Sequence, residues 1–430
     1  MKGFRLPEWV KNLLIVLLSC SALYLFTLTP LYLNSPLRDW TAQLLDRGQS
    51  ETANPLSLAA VLQPARIAIR NASGCYGVQY DVAAADDAYA QTSALLETAL
   101  SSAQAPQLVA EDRWRQALTG SGIYFDFCGD VPLSALVSGE SAAADSLTAS
   151  ARKLLLTLEE DHVFLYYQDS GSGLFYVCTT TLNGSDHLLP IVESFTPNGA
   201  FFAFEDARYQ RCDPYTLISS SVPSPQEYTV SVPLNTEDTD TLGQVLAALS
   251  FSGPSVNSYQ LGTDTIYRSN EDTLQLTGDG VLIYQGNSNA RYPTVSEDET
   301  LTLKNAIETS RSLTAPTLEA LCGGARLYLL SAVQSGATIT VTYGYSLDGA
   351  GVWLDELGWA AQFVFTGGVL TDFTLRFRTY TATGTTTLVL PPLLASAAMT
   401  ALDKEQGELL LSYRDTEGAG STIAAGWIAN

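Results

Sequence analysis

Two histidines, His162 and His187, are all that 430 residues contain, and no two cysteines stand in a Cys-x-x-Cys pair. This shortage removes the usual ligand sets for zinc and leaves few candidates for a general base. Basic residues are scarce as well: 22 Lys and Arg face 45 Asp and Glu, for a formal net charge of −23. Such a chain repels phosphate backbones and anionic lipid surfaces, which argues against nucleic-acid binding and against electrostatic adhesion to membranes. The dense, evenly numbered cysteines of a disulfide scaffold are missing too. Beyond Cys20 there are Cys75, Cys128, Cys178, Cys212 and Cys322, an odd number at scattered spacings. Pairing of Cys75 with Cys128 and of Cys178 with Cys212 is open, but spacing alone does not fix connectivity.

What the chain does have is one long uncharged run. From Leu13 to Leu33 there are 21 residues without a charge, enough helix at about 1.5 Å per residue to cross roughly 30 Å of hydrocarbon. A cleavable signal has a shorter apolar region and a small-residue cleavage site, whereas this run continues through Tyr24, Leu25, Phe26 and Leu28 to Leu31. Leu17-Leu18-Ser19-Cys20 resembles a lipoprotein box only faintly, with Cys20 in the middle of the run. The expectation is a permanent transmembrane helix over 13–33. Lys2, Arg5 and Lys11 against Glu8 place residues 1–12 in the cytoplasm and everything after Leu33 outside the cell membrane, where 19 basic residues face 44 acidic ones.

The rest reads as α+β, two or three domains with antiparallel sheets and flanking helices. Residues 34–55 form a stalk, 56–216 an N-terminal ectodomain, 217–235 a Ser- and Pro-rich linker and 236–430 a C-terminal ectodomain. Periodicity predicts strands at 65–70 and 76–80, a helix in "DDAYAQTSALLETALSSA", a short helix in "EDRWRQAL" and a strand in "GIYFDFCGDVPLSAL" ending at Gly129. A meander over 154–158, 163–167 and 174–180 follows, with "QDSGSG" as a hairpin turn. Beyond the linker come a helix at 241–249 and strands at 264–268, 274–276 and 281–284. A helical stretch at 297–321 leads to strands at 325–331, 338–345, 360–365 and 369–380, the helix "PPLLASAAMTAL", the strand "ELLLSYRD" and a tail containing Trp427. In "FTLRFRTY" Phe373, Leu375 and Phe377 alternate with Thr374, Arg376 and Arg378, as in a half-buried antiparallel strand.

Catalytic groups do not assemble. His162 opens a strand and reads as an edge residue, and His187 lies in a loop. "SARK", Ser150 to Lys153, matches a Ser-x-x-Lys pair but has neither a Ser-Asp-Asn nor a Lys-Thr-Gly companion, and reads as the approach to the strand "LLLTL". Asp238, Asp240 and Gly243 begin like a calcium loop, but Leu242 and Leu249 stand where oxygen ligands are needed, so a helix N-terminus is expected there. "GSGLF" and "GTTTL" lack the lysine of phosphate loops. Carboxylates are numerous, yet nothing selects a glycosidase pair.

The stretches "GIYFDFCGDVPLSAL", "TIYRSNEDTLQLTGDGVLIY", "VTYGYSLDGAGVW" and "AAQFVFTGGVLTDFTLRFRTY" give a combination that resembles the YycH/YycI group of membrane-anchored regulators of Gram-positive bacteria, with strands similar to PepSY modules. The resemblance covers nearly the whole chain. It implies a non-enzymatic regulator without cofactor or metal, whose partners are a cell-wall-sensing histidine kinase and a paralogous regulator. Ser19, Cys20, Ser21 and Ala22 form a small-residue patch where a partner's transmembrane helix could approach closely. Arg5 and Lys11 orient the span, and Tyr24 and Tyr32 lie toward its outer half. The alternative is an anchored module that binds a wall fragment or peptide in a groove between the ectodomain halves. It would use strand edges after Gly367 and Gly368 and the aromatics Tyr343, Tyr345 and Trp353. A hydrolase is a third class, for which no nucleophile, base and orienter come together.

Overall fold

The segment 122–132 carries Ile123, Phe125, Phe127 and Val131 on one face and Tyr124, Asp126 and Cys128 on the other; it is buried almost throughout and lies inside a sheet. A computed structural model describes residues 58–139, 141–286, 291–292, 294, 301–401, 404, 406–416 and 419–429. In it the N-terminal strands are β1 (Pro64–Asn71), β2 (Gly74–Gln79), β3 (Gln107–Val109), β4 (Gly122–Pro132), β5 (Ser150–Glu159), β6 (His162–Asp169) and β7 (Phe175–Asn183). They pair antiparallel in the order β2-β1-β4-β5-β6-β7-β3. The helix Val82–Ser101 lays Leu95, Leu96, Ala99 and Leu100 on the face that carries Ile123, Phe125 and Phe127. Trp114, from the helix Glu111–Leu118, packs with Tyr124, Phe175 and Tyr215 on the opposite face.

Strand β4 does not stop at Gly129 as its sequence suggested. It continues to Pro132 because the chain of the C-terminal half passes directly against it. A Cβ at position 129 would stand 2.4 Å from the carbonyl oxygens of both Leu329 and Leu330, so only glycine allows this approach. Here a single parallel bridge, Ser331 to Asp130, joins the two halves.

The segment 217–235, expected as a linker, carries the short strand β9 (Leu217–Ile218), paired with β8 (Phe201–Phe202), and then β10 (Gln226–Ser231). The C-terminal half consists of β11 (Asn257–Leu261), β12 (Asp264–Ser269), β13 (Asp272–Leu276), β14 (Val281–Gln285), β15 (Arg326–Ser335), β16 (Thr338–Leu347), β17 (Ala350–Leu354), β18 (Ala361–Thr366), β19 (Val369–Arg376), β20 (Thr379–Thr386), β21 (Leu409–Asp415), β22 (Thr422–Ile423) and β23 (Ala425–Ala429). Its main sheet runs β11-β12-β13-β14-β19-β18-β16-β15, antiparallel throughout. A second arm leaves β16 through the hairpin at Asp348 and Gly349 and runs β17-β21-β23, with β17 and β21 parallel. Strand β10 lies between β20 and β22, and Tyr228 donates its hydroxyl hydrogen to Asp348 at 3.0 Å. Residues 56–430 form one compact unit.

The expected single strand over 369–380 is two strands. β19 ends at Arg376, and β20 starts at Thr379 in the other sheet with β10. Phe373, Leu375 and Phe377 are buried as the alternation requires, but Arg378 is buried as well, between Asp355 and Asp415. The helix within 297–321 is described from Leu303 to Thr314 and widens into a π-helical turn at Ala315–Glu319, which contains Pro316. The helix at Thr239–Ala248 is capped by Asp238, whose carboxylate accepts from the Thr241 amide at 3.1 Å, in keeping with a helix start rather than a calcium loop.

Candidate functional site

The small-residue patch Ser19, Cys20, Ser21 and Ala22 lies outside the described residues, as does the whole apolar run 13–33. No described helix is long and apolar enough to cross a membrane.

The other sequence candidates are dispersed by the fold. His162 is exposed at the start of β6, and His187 is exposed with Nδ1 3.0 Å from the carbonyl oxygen of Asn183. Ser150 lines a cavity of about 640 Å³ with Asp130, Asp145 and Asp169. Lys153 is buried, its ammonium 3.4 Å from Glu408 and 3.7 Å from Asp213. The Ser-x-x-Lys residues therefore serve different surroundings. All five described cysteines are free, so the two pairings left open do not form. Burial pushes the thiols up, to about 11 for Cys75, Cys212 and Cys322 and to about 12 for Cys178, which makes them poor nucleophiles. Among the described residues no group of His, Cys, Asp and Glu is arranged to hold a metal ion.

The strand edges expected after Gly367 and Gly368 are not edges: β18 pairs with β16 and β19, and β19 pairs with β18 and β14. Tyr343 and Tyr345 are core residues, the first hydrogen-bonding Ser310 at 2.7 Å and the second donating to the Arg376 carbonyl at 3.0 Å. Only Trp353 of the three aromatics is exposed, at 51 %.

Trp353 marks a feature that sequence reasoning missed. On the arm β17-β21-β23 a groove of about 810 Å³ lies between β23 and the segment 388–399, which enters the helix Pro392–Ala401. All five residues of β23 line it, and the Trp427 indole N–H donates to the Leu390 carbonyl at 2.8 Å across it. Leu388, Leu390 and Leu394 are exposed beside it, Leu388 at 95 %. Lys404 and Arg414 complete its lining. A second cavity of about 320 Å³ adjoins it, sharing Trp353, Ser412 and Ile428 and reaching Arg66 and Arg152. The signals in the sequence were weak: "LVLPPLL" reads as a helix start, and "AGWIA" is too short and small-residued to announce a strand.

Beneath the groove lies a buried charge network. Asp126, on β4, forms an ion pair with Arg66 at 2.9 Å and accepts a hydrogen bond from Arg152 at 2.8 Å; Arg152 also reaches Glu408 at 2.8 Å. Burial alone would raise the Glu408 carboxyl, but Lys153, Arg152 and Arg66 hold it down at about 2. The network sets three cations against three carboxylates, Asp126, Glu408 and Asp213, and fastens the C-terminal strands onto the N-terminal sheet.

The architecture is that of a mixed α+β protein with large, mainly antiparallel sheets and few helices. No family model matches the sequence, and no curated protein matches it. Among solved structures, the fold is similar to the crystal structure of YycH from Bacillus subtilis, with a TM-score of 0.52 and 11 % sequence identity over 87 % of this chain and 98 % of that one. The likeness is one of fold, and it agrees with the resemblance carried by the sequence.

Proposed function

We propose that this chain is a non-enzymatic, membrane-anchored regulator of a two-component sensor histidine kinase. Its N-terminus lies in the cytoplasm, residues 13–33 span the cell membrane, and the α+β region lies outside. The observation that carries this reading is the YycH-like fold over 87 % of the chain. The scattered histidines and the buried cysteines support a role through contact rather than catalysis. Contact with the kinase is made by the span, at Ser19, Cys20, Ser21 and Ala22, and by the ectodomain; a paralogous regulator joins the assembly.

A photoreactive residue at position 20, crosslinked in cells and followed by mass spectrometry, tests the span. Capture of a sensor kinase supports the proposal, and the variant Ser19→Leu/Ala22→Leu should then lose kinase association in a membrane two-hybrid assay. Capture of lipid alone makes the span a tether and removes it from the contact surface.

A further inference from the structure

The groove on β23 has three properties that together specify an occupant. Its walls are apolar, and they stay exposed: Leu388, Leu390 and Trp353 are each at least half open to solvent. A cluster of large apolar side chains in water beside a concave surface marks an interaction site.

Its second property is a free backbone edge. Among the described residues β23 pairs with β21 alone, in the register Leu409 with Ala429 to Tyr413 with Ala425, so one side of the strand has no strand partner. Edge strands of this kind accept an added strand unless a proline, a bulge or a charge on the strand itself prevents it, and "AGWIA" has none of these.

The third property is charge. In a chain of net charge −23, nearly every described cation is already engaged with a carboxylate or carbonyl of its own fold. Among the described residues only Arg268, Lys404 and Arg414 have cationic side chains without a partner. Two of these three line the groove.

We infer that the groove binds an extended segment of a partner protein that adds to β23 as a further strand, with apolar side chains at alternate positions and carboxylates that meet Lys404 and Arg414. Main-chain hydrogen bonds supply affinity, the alternating apolar residues fill the walls, and the carboxylates select against basic sequences. A second copy of the chain is a poor occupant, because two bodies of charge −23 repel each other. The inference goes beyond kinase regulation and stands whether or not the span contacts a kinase.

The test uses the full-length protein in detergent and two pools of synthetic peptides of about eight residues, a strand length that spans the groove. Both pools alternate apolar residues, one with Asp and Glu and the other with Lys and Arg. The acidic pool should be retained saturably and the basic pool not. Lys404→Glu/Arg414→Glu, exposed and unpartnered positions whose reversal leaves the melting temperature unchanged, should weaken the acidic peptides by about tenfold or more. Methylation of alternate backbone nitrogens should abolish retention. Equal retention of both pools, retention of the methylated peptides, or no retention of either pool at millimolar concentration overturns the inference. So does a dimer in sedimentation that the double charge reversal dissociates, which makes a second copy the occupant.

Discussion

Two sets of cations lie close together in this molecule and do opposite things. Arg66, Arg152 and Lys153, on β1 and β5, are held in a largely buried cluster with Asp126, Glu408 and Asp213, while Lys404 and Arg414, near the C-terminus, are exposed and have no side-chain partner among the described residues. The first set has its counter-charges inside the fold. Its strength comes from low dielectric and short distances, and its cost is the desolvation of every member. The second set is solvated, contributes little to stability, and is available to a charge from outside. Residue type therefore says nothing about role here; the presence or absence of an internal carboxylate decides it.

The comparison breaks most visibly at Glu408. Glu408→Gln leaves Arg152 and Lys153 buried with one counter-charge fewer, and unfolding in urea should show a loss of about 3–5 kcal/mol, the usual cost of breaking a buried pair from one side. The folded carboxyl titrates below its unfolded value of 4.5, at about 2. Its contribution is therefore complete above pH ~4.5, because there the unfolded state binds no extra proton, and it is lost as pH falls toward ~2. Thermal melts across that window should show the gap between the native protein and Glu408→Gln closing as the pH drops; a constant gap would mean that packing, not charge, was lost.

A smaller loss is expected at the joint itself. Gly129→Ala forces a methyl against the Leu329 and Leu330 carbonyls, and backbone must shift to admit it, for about 1–3 kcal/mol. Gly243→Ala, on a helix where the added methyl meets nothing, is the matching control. The smallest effect belongs to the exposed set: Arg414→Glu should change stability by less than about 0.5 kcal/mol, as surface positions do. A large destabilisation there would place Arg414 in the structural network and sharpen the contrast differently.

Much of the scaffold was legible because it depends on local patterns. The apolar run of β4, the Phe373, Leu375 and Phe377 alternation and the Asp238 cap announce strand, buried face and helix start from neighbours in sequence alone. The joint and the groove depend on neighbours in space. Arg152 finds Glu408 256 positions away, and Arg378 is buried between Asp355, in the turn after β17, and Asp415, at the end of β21. Strand β10 was hidden in a Ser- and Pro-rich stretch because its pairing partners, β20 and β22, lie at the far end of the chain. Nothing local in the sequence marks Lys404 and Arg414; their lack of a side-chain partner is visible only once the other described cations, Arg268 apart, have been matched.

The return of the last strands to the first sheet also imposes an order of events. During synthesis the N-terminal sheet emerges from the ribosome with Arg66, Arg152 and Lys153 in place, while Glu408 and the Leu411 amide, which donates to the Tyr80 hydroxyl at 2.9 Å, come almost at the end. The final closure is thus the contact of longest sequence separation, and the slowest to find. Until it forms, Arg66, Arg152 and Lys153 share only Asp126 and Asp213 as acidic partners, three positive charges against two, and the cluster becomes neutral only when Glu408 arrives.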